Sequence, residues 1–217
     1  MINLCLFDQD GTLTDPKAGI TKAFRYSLRS FGIEVSNLDD LEKFIGPPLR
    51  DSFREYYSFS EAEAETAISK YREYYADIGI FENGLYDGII PMLQRLKDNG
   101  ITLAIATSKP TVFAERVAEH FKIRHYFKLI AGSELDGTRD RKSEVIQYAL
   151  RIIDPGREKS VVMIGDRKHD IIGAREAGID SIAITWGYGS RKELEEAKAE
   201  RMADSPEELC QMVLDKI

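Results

Sequence analysis

Hydrophobic positions along this chain change rhythm at about residue 85. Before it they recur mostly at helical spacing. After it, short unbroken apolar runs alternate with amphipathic stretches. One run stands apart at the start: Leu4-Cys5-Leu6-Phe7 is continuous, and so predicts a strand buried on both faces of a parallel sheet. Asp15-Pro16 predicts a helix start, with Asp15 as N-cap and Pro16 at the first helical position. Ile20, Phe24, Leu28 and Phe31 line one face, and Gly32 closes the helix. A short helix over Asp39 to Phe44 and another over Leu49 to Tyr57 flank the Ile45-Gly46-Pro47-Pro48 break. Ser60 with Glu63 makes a capping box ahead of a helix whose inner face is Ala64, Ile68, Tyr71 and Tyr75. Residues 16–85 thus read as all-helical, and most of their aromatics (Phe24, Tyr26, Phe31, Phe44, Phe53, Tyr56, Tyr57, Phe59, Tyr71, Tyr74, Tyr75 and Phe81) as a small core.

Beyond Gly84 the pattern predicts helices over Pro91 to Lys97, Thr111 to Phe121, Lys142 to Ile153 and Ile171 to Ala177. Between them lie strands over Ile101 to Ala106, Phe127 to Ala131, Val161 to Ile164 and Ser181 to Thr185. Ser190 with Glu193 and Ser205 with Glu208 read as capping boxes of the last helices. Strand-helix alternation with right-handed crossovers gives an α/β fold, a doubly wound parallel sheet. The expected division is a core of residues 1–15 and 86–217, with residues 16–85 as a helical insertion lying over the sheet's carboxyl edge.

Composition narrows the function. Hydrophobic content of 43% and charged content of 31% describe an ordinary globular protein, and 217 residues suffice for one domain with an insert. A net charge of -7 argues against broad binding to nucleic acid or anionic membrane, though not against a small anionic substrate. Asp8 cuts the first apolar run too short for a signal peptide or a membrane span, and Cys5, in a core strand, is expected to be a reduced thiol. The cytoplasm is the expected location.

Chemistry is expected where buried strands end, because ligands of open α/β sheets sit beyond the carboxyl ends of the strands. Three predicted strands end in polar loops: Asp8 and Asp10, then Thr107 and Ser108, then Asp166 and Asp170. Asp8 and Asp10 would repel each other without a cation between them, and a hard divalent ion such as Mg²⁺ takes carboxylate oxygens. Lys142 opens a helix, where its ammonium and the helix N-terminus together favour an anion. Taken singly, each of these is also an ordinary turn, helix start or surface charge.

Taken together, Asp8-Gln9-Asp10-Gly11-Thr12-Leu13-Thr14-Asp15, Thr107-Ser108, Lys142 and Asp166…Asp170 resemble, in order and in strand context, the four motifs of the haloacid dehalogenase-like superfamily. Gln9 stands where an apolar residue is usual, Ser143 where proline often follows the lysine, and Arg167 where many members carry Ser or Thr. The resemblance implies that Asp8 is a nucleophile forming an aspartyl-phosphate and Asp10 the general acid, then base. The dehalogenase branch lacks this second aspartate, so phosphoryl transfer is read. The resemblance further implies that Thr107, the Ser108 amide, Gly11 and Lys142 bind the phosphoryl group. Mg²⁺ would be held by Asp8, the Asp10 carbonyl and Asp166, with Asp170 close behind. Lys109, Arg141 and Arg167 would add positive field, and Arg50, in the loop Phe44-Ile45-Gly46-Pro47-Pro48-Leu49-Arg50, would reach an anionic part of the substrate. That loop and the strings Gly137-Thr138-Arg139 and Trp186-Gly187-Tyr188-Gly189 are similar to phosphoglycolate phosphatase-like and 5′-nucleotidase-like members. The expected activity is Mg²⁺-dependent hydrolysis of a small phosphorylated metabolite by a monomer or homodimer. A phosphomutase of the same fold and a non-catalytic phosphate-binding regulator are the alternatives.

Overall fold

A computed structural model describes residues 2–215, which form two compact units, Pro16–Gly84 and the remainder of the chain. In the larger unit six parallel strands run in the order β3-β2-β1-β4-β5-β6. These are β1 (Leu4–Phe7), β2 (Thr102–Pro110), β3 (Leu129–Ser133), β4 (Val161–Gly165), β5 (Asp180–Ile184) and β6 (Met202–Ala203). Of these six, the two-residue β6 is the strand without a sequence-level signal, being too short to show a period.

Period-two alternation sorts the central strand between two cores. Cys5 and Phe7 face the apolar residues of α4 (Ile89–Asp98), α5 (Thr111–His120) and α9 (Pro206–Leu214). Leu4 and Leu6 face those of α6 (Lys142–Ile153) and α7 (Lys168–Ala177). Both cysteines are free and buried. Register matters most for the site. Phe7 is level with Ile105 of β2 and Ile164 of β4, so the loops after these three strands start from one edge. Strand order reverses across β1, which makes the gap between β1 and β4 the switch point where such sheets bind ligands.

The smaller unit comprises α1 (Lys17–Arg29), a 3-10 turn over Leu38–Phe44, α2 (Leu49–Tyr57), α3 (Glu61–Tyr75) and a second 3-10 turn over Gly79–Phe81. Phe24 is its centre: Phe44, Phe53 and Tyr71 pack their rings 4.8, 5.0 and 5.2 Å from it. Tyr26, Tyr56 and Phe81 stay exposed, so not every aromatic here is core.

Four local expectations need correction. Pro16, not Asp15, is the N-cap of α1, and it offers no capping side chain. The 39–44 segment is a 3-10 turn capped by Asn37, whose side chain accepts from the Asp39 amide at 3.1 Å. β2 runs on to Pro110 through an irregularity after Ala106, where the sequence had suggested a loop, because Pro110 pairs with Ser133. α7 begins at Lys168 rather than Ile171, since Asp170 reaches back to accept from the Arg167 amide at 3.0 Å.

Candidate active site

The loops that leave β1 and β4 and the irregular last residues of β2 meet the first residue of α6. Asp8, Asp10, Thr107, Lys109, Lys142, Asp166 and Asp170 are all buried there. Lys142, at the first position of α6, extends its ammonium to Asp8 Oδ1 and Asp170 Oδ1, each at 2.9 Å, and to the Ala106 carbonyl at 3.2 Å. Its three donors are thereby used. Asp8 Oδ1 also accepts from the Gln9 amide at 2.8 Å, so both contacts fall on the same oxygen. Gln9 itself turns away and donates to the Ala114 carbonyl of α5 at 3.1 Å, a use for the residue that departs from the usual pattern.

Asp10 points elsewhere. Lys109, expected to face substrate, pairs with Asp10 Oδ1 at 2.8 Å. Burial raises the Asp10 pKa, and Lys109 opposes the rise. The two aspartates of the first loop are thus served by different lysines, and their environments differ.

Asp166 meets no ammonium within the site. The Thr12 hydroxyl donates to its Oδ1 at 3.1 Å and the Tyr188 amide to its Oδ2 at 2.9 Å. Gly11 makes this approach possible: its φ is +81°, and a Cβ there would lie 2.3 Å from Asp166 Oδ2. Burial pushes the Asp166 carboxyl up to about 7, with Asp170 and Asp8 adding to the rise. Asp170 is also raised by burial, with Lys142 pulling the other way. Burial disfavours the Lys142 ammonium, but Asp170 and Asp8 outweigh it and hold its pKa above the ordinary value.

Oxygens of Asp8, Asp166 and Asp170 lie within 4.8 Å of one another. An all-carboxylate donor set with only one ammonium among its members suits a hard divalent cation. The carboxylate of Asp10 is outside this group.

Thr107 is buried, and its hydroxyl oxygen accepts from the Lys109 amide at 3.3 Å, keeping its own hydrogen to donate. The Ser108 carbonyl is fixed by the Ser133 hydroxyl at 2.8 Å. Arg167 does not face outward as free positive field: Glu193 of α8 (Arg191–Glu196) takes its Nε at 2.9 Å and the Lys168 amide at 3.0 Å. Arg141 is exposed. Arg50, in the helical unit, pairs with Glu61 and Glu65 of α3. The sequence reading gives no role to Thr12, Tyr188 or Glu193, although Thr12 and Tyr188 lie within strings that carry the resemblance. Their partners lie far along the chain, so spacing does not show these contacts.

A family model described as haloacid dehalogenase-like hydrolase matches residues 5–184. A 5′-nucleotidase of Pseudomonas aeruginosa is 47% identical over 189 residues, 87% of this chain and 85% of that protein. Tyrosine-protein kinase PtkA of Mycobacterium tuberculosis is 42% identical over 186 residues, 86% of this chain but 63% of that protein. Among solved structures, that of a predicted phosphatase from Clostridium acetobutylicum matches with a TM-score of 0.96 and 48% identity, covering 99% of both chains.

Proposed function

The chain belongs to the haloacid dehalogenase-like hydrolases and is a phosphatase, and on that premise we propose that it hydrolyses a small phosphomonoester, foremost a 5′-nucleotide, through an aspartyl-phosphate on Asp8. The observation that carries this reading is the separate bracing of the paired aspartates, Asp8 by Lys142 at 2.9 Å and Asp10 by Lys109 at 2.8 Å. One carboxylate is fixed with a free oxygen, as a nucleophile requires, and its neighbour is held apart for proton transfer.

In the first step Asp8 Oδ2 attacks phosphorus, the bond from phosphorus to the ester oxygen breaks, and Asp10 gives its proton to the departing alkoxide. In the second, Asp10 takes a proton from water, the resulting hydroxide attacks phosphorus, and the bond to Asp8 breaks. Inorganic phosphate leaves, with Asp8 again a carboxylate and Asp10 again an acid. Thr107 and the Ser108 amide hold phosphoryl oxygens, and Lys142 offsets their charge. Mg²⁺ held by Asp8, Asp166 and Asp170 with the Asp10 carbonyl would supply the positive charge that brings two anions together. The 5′-nucleotide is favoured by the 47% identity to the nucleotidase, with small phosphorylated acids such as phosphoglycolate next. A second reading, transfer from Asp8 to an acceptor hydroxyl rather than to water, draws support from the 42% identity to a protein named a tyrosine kinase. The two free, buried cysteines support a cytoplasmic location, and among the described residues no helix is long and apolar enough to cross a membrane.

The test is phosphate release from 5′-nucleotides, phosphoglycolate, sugar phosphates and phosphotyrosine, with Mg²⁺ or with EDTA, beside an Asp8→Asn variant. Release that needs both Mg²⁺ and Asp8 supports the reading, and the best ester names the substrate class. Label passing from Asp8 to a hydroxyl acceptor without free phosphate would favour the second reading. No release and no transfer from any ester would overturn both.

A further inference from the structure

The turn after β5, Trp186-Gly187-Tyr188-Gly189, has no part in the steps above, yet it grips the site at several points. The Trp186 indole N–H donates to the Thr12 carbonyl at 3.1 Å. The Tyr188 amide donates to Asp166 Oδ2 at 2.9 Å, and the Tyr188 hydroxyl donates to Asp15 Oδ1. The backbone itself is pressed against the acidic loops. A Cβ on Gly187 would lie 2.4 Å from the Gly11 carbonyl oxygen, and one on Gly189 would lie 1.9 Å from that of Asp166.

These contacts answer an electrostatic problem. Asp8, Asp166 and Asp170 repel one another, and Lys142 contacts only two of them. The hydrogen bonds that keep Asp166 in the group come from neutral donors, the Thr12 hydroxyl and the Tyr188 amide. Tyr188 is the residue common to both sides of the cluster: its main chain holds Asp166, and its side chain holds Asp15, the far end of the loop that carries Asp8 and Asp10. Carboxylates that must be gathered at the moment of binding take that ordering cost out of the affinity for a cation, and carboxylates already gathered do not.

We infer that Tyr188 is a positioning residue for the carboxylate cluster, tying the Asp8–Asp15 loop to Asp166 so that the cluster keeps its spacing before a cation arrives. The inference rests on the Mg²⁺ reading of the site. Residues that orient metal ligands in this way typically carry a tenfold to hundredfold share of metal affinity. Tyr188→Phe removes the hydroxyl and leaves the amide on Asp166. Asp15→Asn weakens the same bond from the other end.

The test is calorimetric titration of the whole protein with Mg²⁺ alone at fixed pH, for the wild type and both variants, beside kcat and the Mg²⁺ concentration giving half-maximal rate. Emission of Trp186, the chain's one tryptophan, provides a second readout from within the same turn. Tyr188→Phe is expected to bind Mg²⁺ about tenfold to a hundredfold more weakly, with kcat restored to within a few-fold at saturating Mg²⁺. A general loss of structure would lower kcat at any Mg²⁺ concentration, and that result overturns the inference. Wild-type Mg²⁺ affinity in a folded Tyr188→Phe overturns it too while leaving the metal reading intact. A wild-type protein that takes up no Mg²⁺ would bring down the metal reading itself. If Tyr188→Phe fails to fold, Asp15→Asn decides by the same criteria.

Discussion

Lys142 Nζ lies 2.9 Å from Asp8 Oδ1 and uses its remaining donors on Asp170 and the Ala106 carbonyl. One compact ammonium therefore joins the loop after β1, the middle of β2 and the first turn of α7. Three acceptors set around a point charge do not fit a planar guanidinium. Lys142→Arg and Lys142→Met are each expected to lower kcat/KM for the best phosphomonoester by about a hundredfold or more. A Lys142→Arg enzyme within a few-fold of wild type would mean that charge alone is needed there.

Stability should respond to pH through Asp166. Its carboxyl titrates near 7 in the folded chain against an ordinary 3.8, so folding favours its protonated form. That contribution is complete below the unfolded value and is lost as pH rises through the folded one. A divalent cation requires the charged form and so reverses the trend. The rise in Tm produced by Mg²⁺ over EDTA should be clearly larger near pH 8 than near pH 5.5. Equal gains at both would place Asp166 outside the metal site.

Gly11→Ala tests the closeness of the first loop to Asp166. At φ +81° and with 2.3 Å to Asp166 Oδ2, an added methyl has nowhere to go without moving the carboxylate. Left-handed strain alone costs about 1–2 kcal/mol. We expect that loss or more in urea unfolding, together with loss of Mg²⁺ uptake. A stable Gly11→Ala with normal uptake would refute this geometry.

Glu193→Ala should destabilise the core unit without touching the acidic cluster. It leaves Arg167, whose side chain is 10% exposed, without its carboxylate, and the Lys168 amide without its acceptor. Orphaning one member of a fully buried pair costs about 3–5 kcal/mol, and with Glu193 about a fifth exposed we expect about 2. Adding Arg167→Ser should recover part of the loss, read as coupling in a double-mutant cycle followed by Trp186 emission.

Much of this was legible from local pattern. Unbroken apolar runs marked β1, β2 and β4, and the register of a parallel sheet then obliged the residues after them to share an edge. What the sequence hid is tertiary. Lys109 follows Thr107 and Ser108 and so read as a substrate contact, but its ammonium is drawn to Asp10 from a separate loop. Ser190 and Glu193 have capping-box spacing, yet only the Ser190 hydroxyl caps, at 3.1 Å from the Glu193 amide, because the Glu193 carboxylate goes to Arg167 instead. Tyr188 and Asp15 are bonded across 173 positions, and no window on the sequence spans that distance.

The central place of β1 also has a bearing on how the molecule is made. Its partners, β2 and β4, begin almost a hundred and some 157 residues after it, at Thr102 and Val161 opposite Leu4. On a growing chain the first strand therefore waits, apolar on both faces, through the synthesis of the whole helical insertion. Long-range parallel pairing of this kind is slow and leaves strand edges exposed to aggregation. A polypeptide interrupted before β4 carries Asp8 without Asp166 and has no acidic cluster. The phosphate chemistry thus switches on late in synthesis, after the stretch in which the nascent chain most needs shielding.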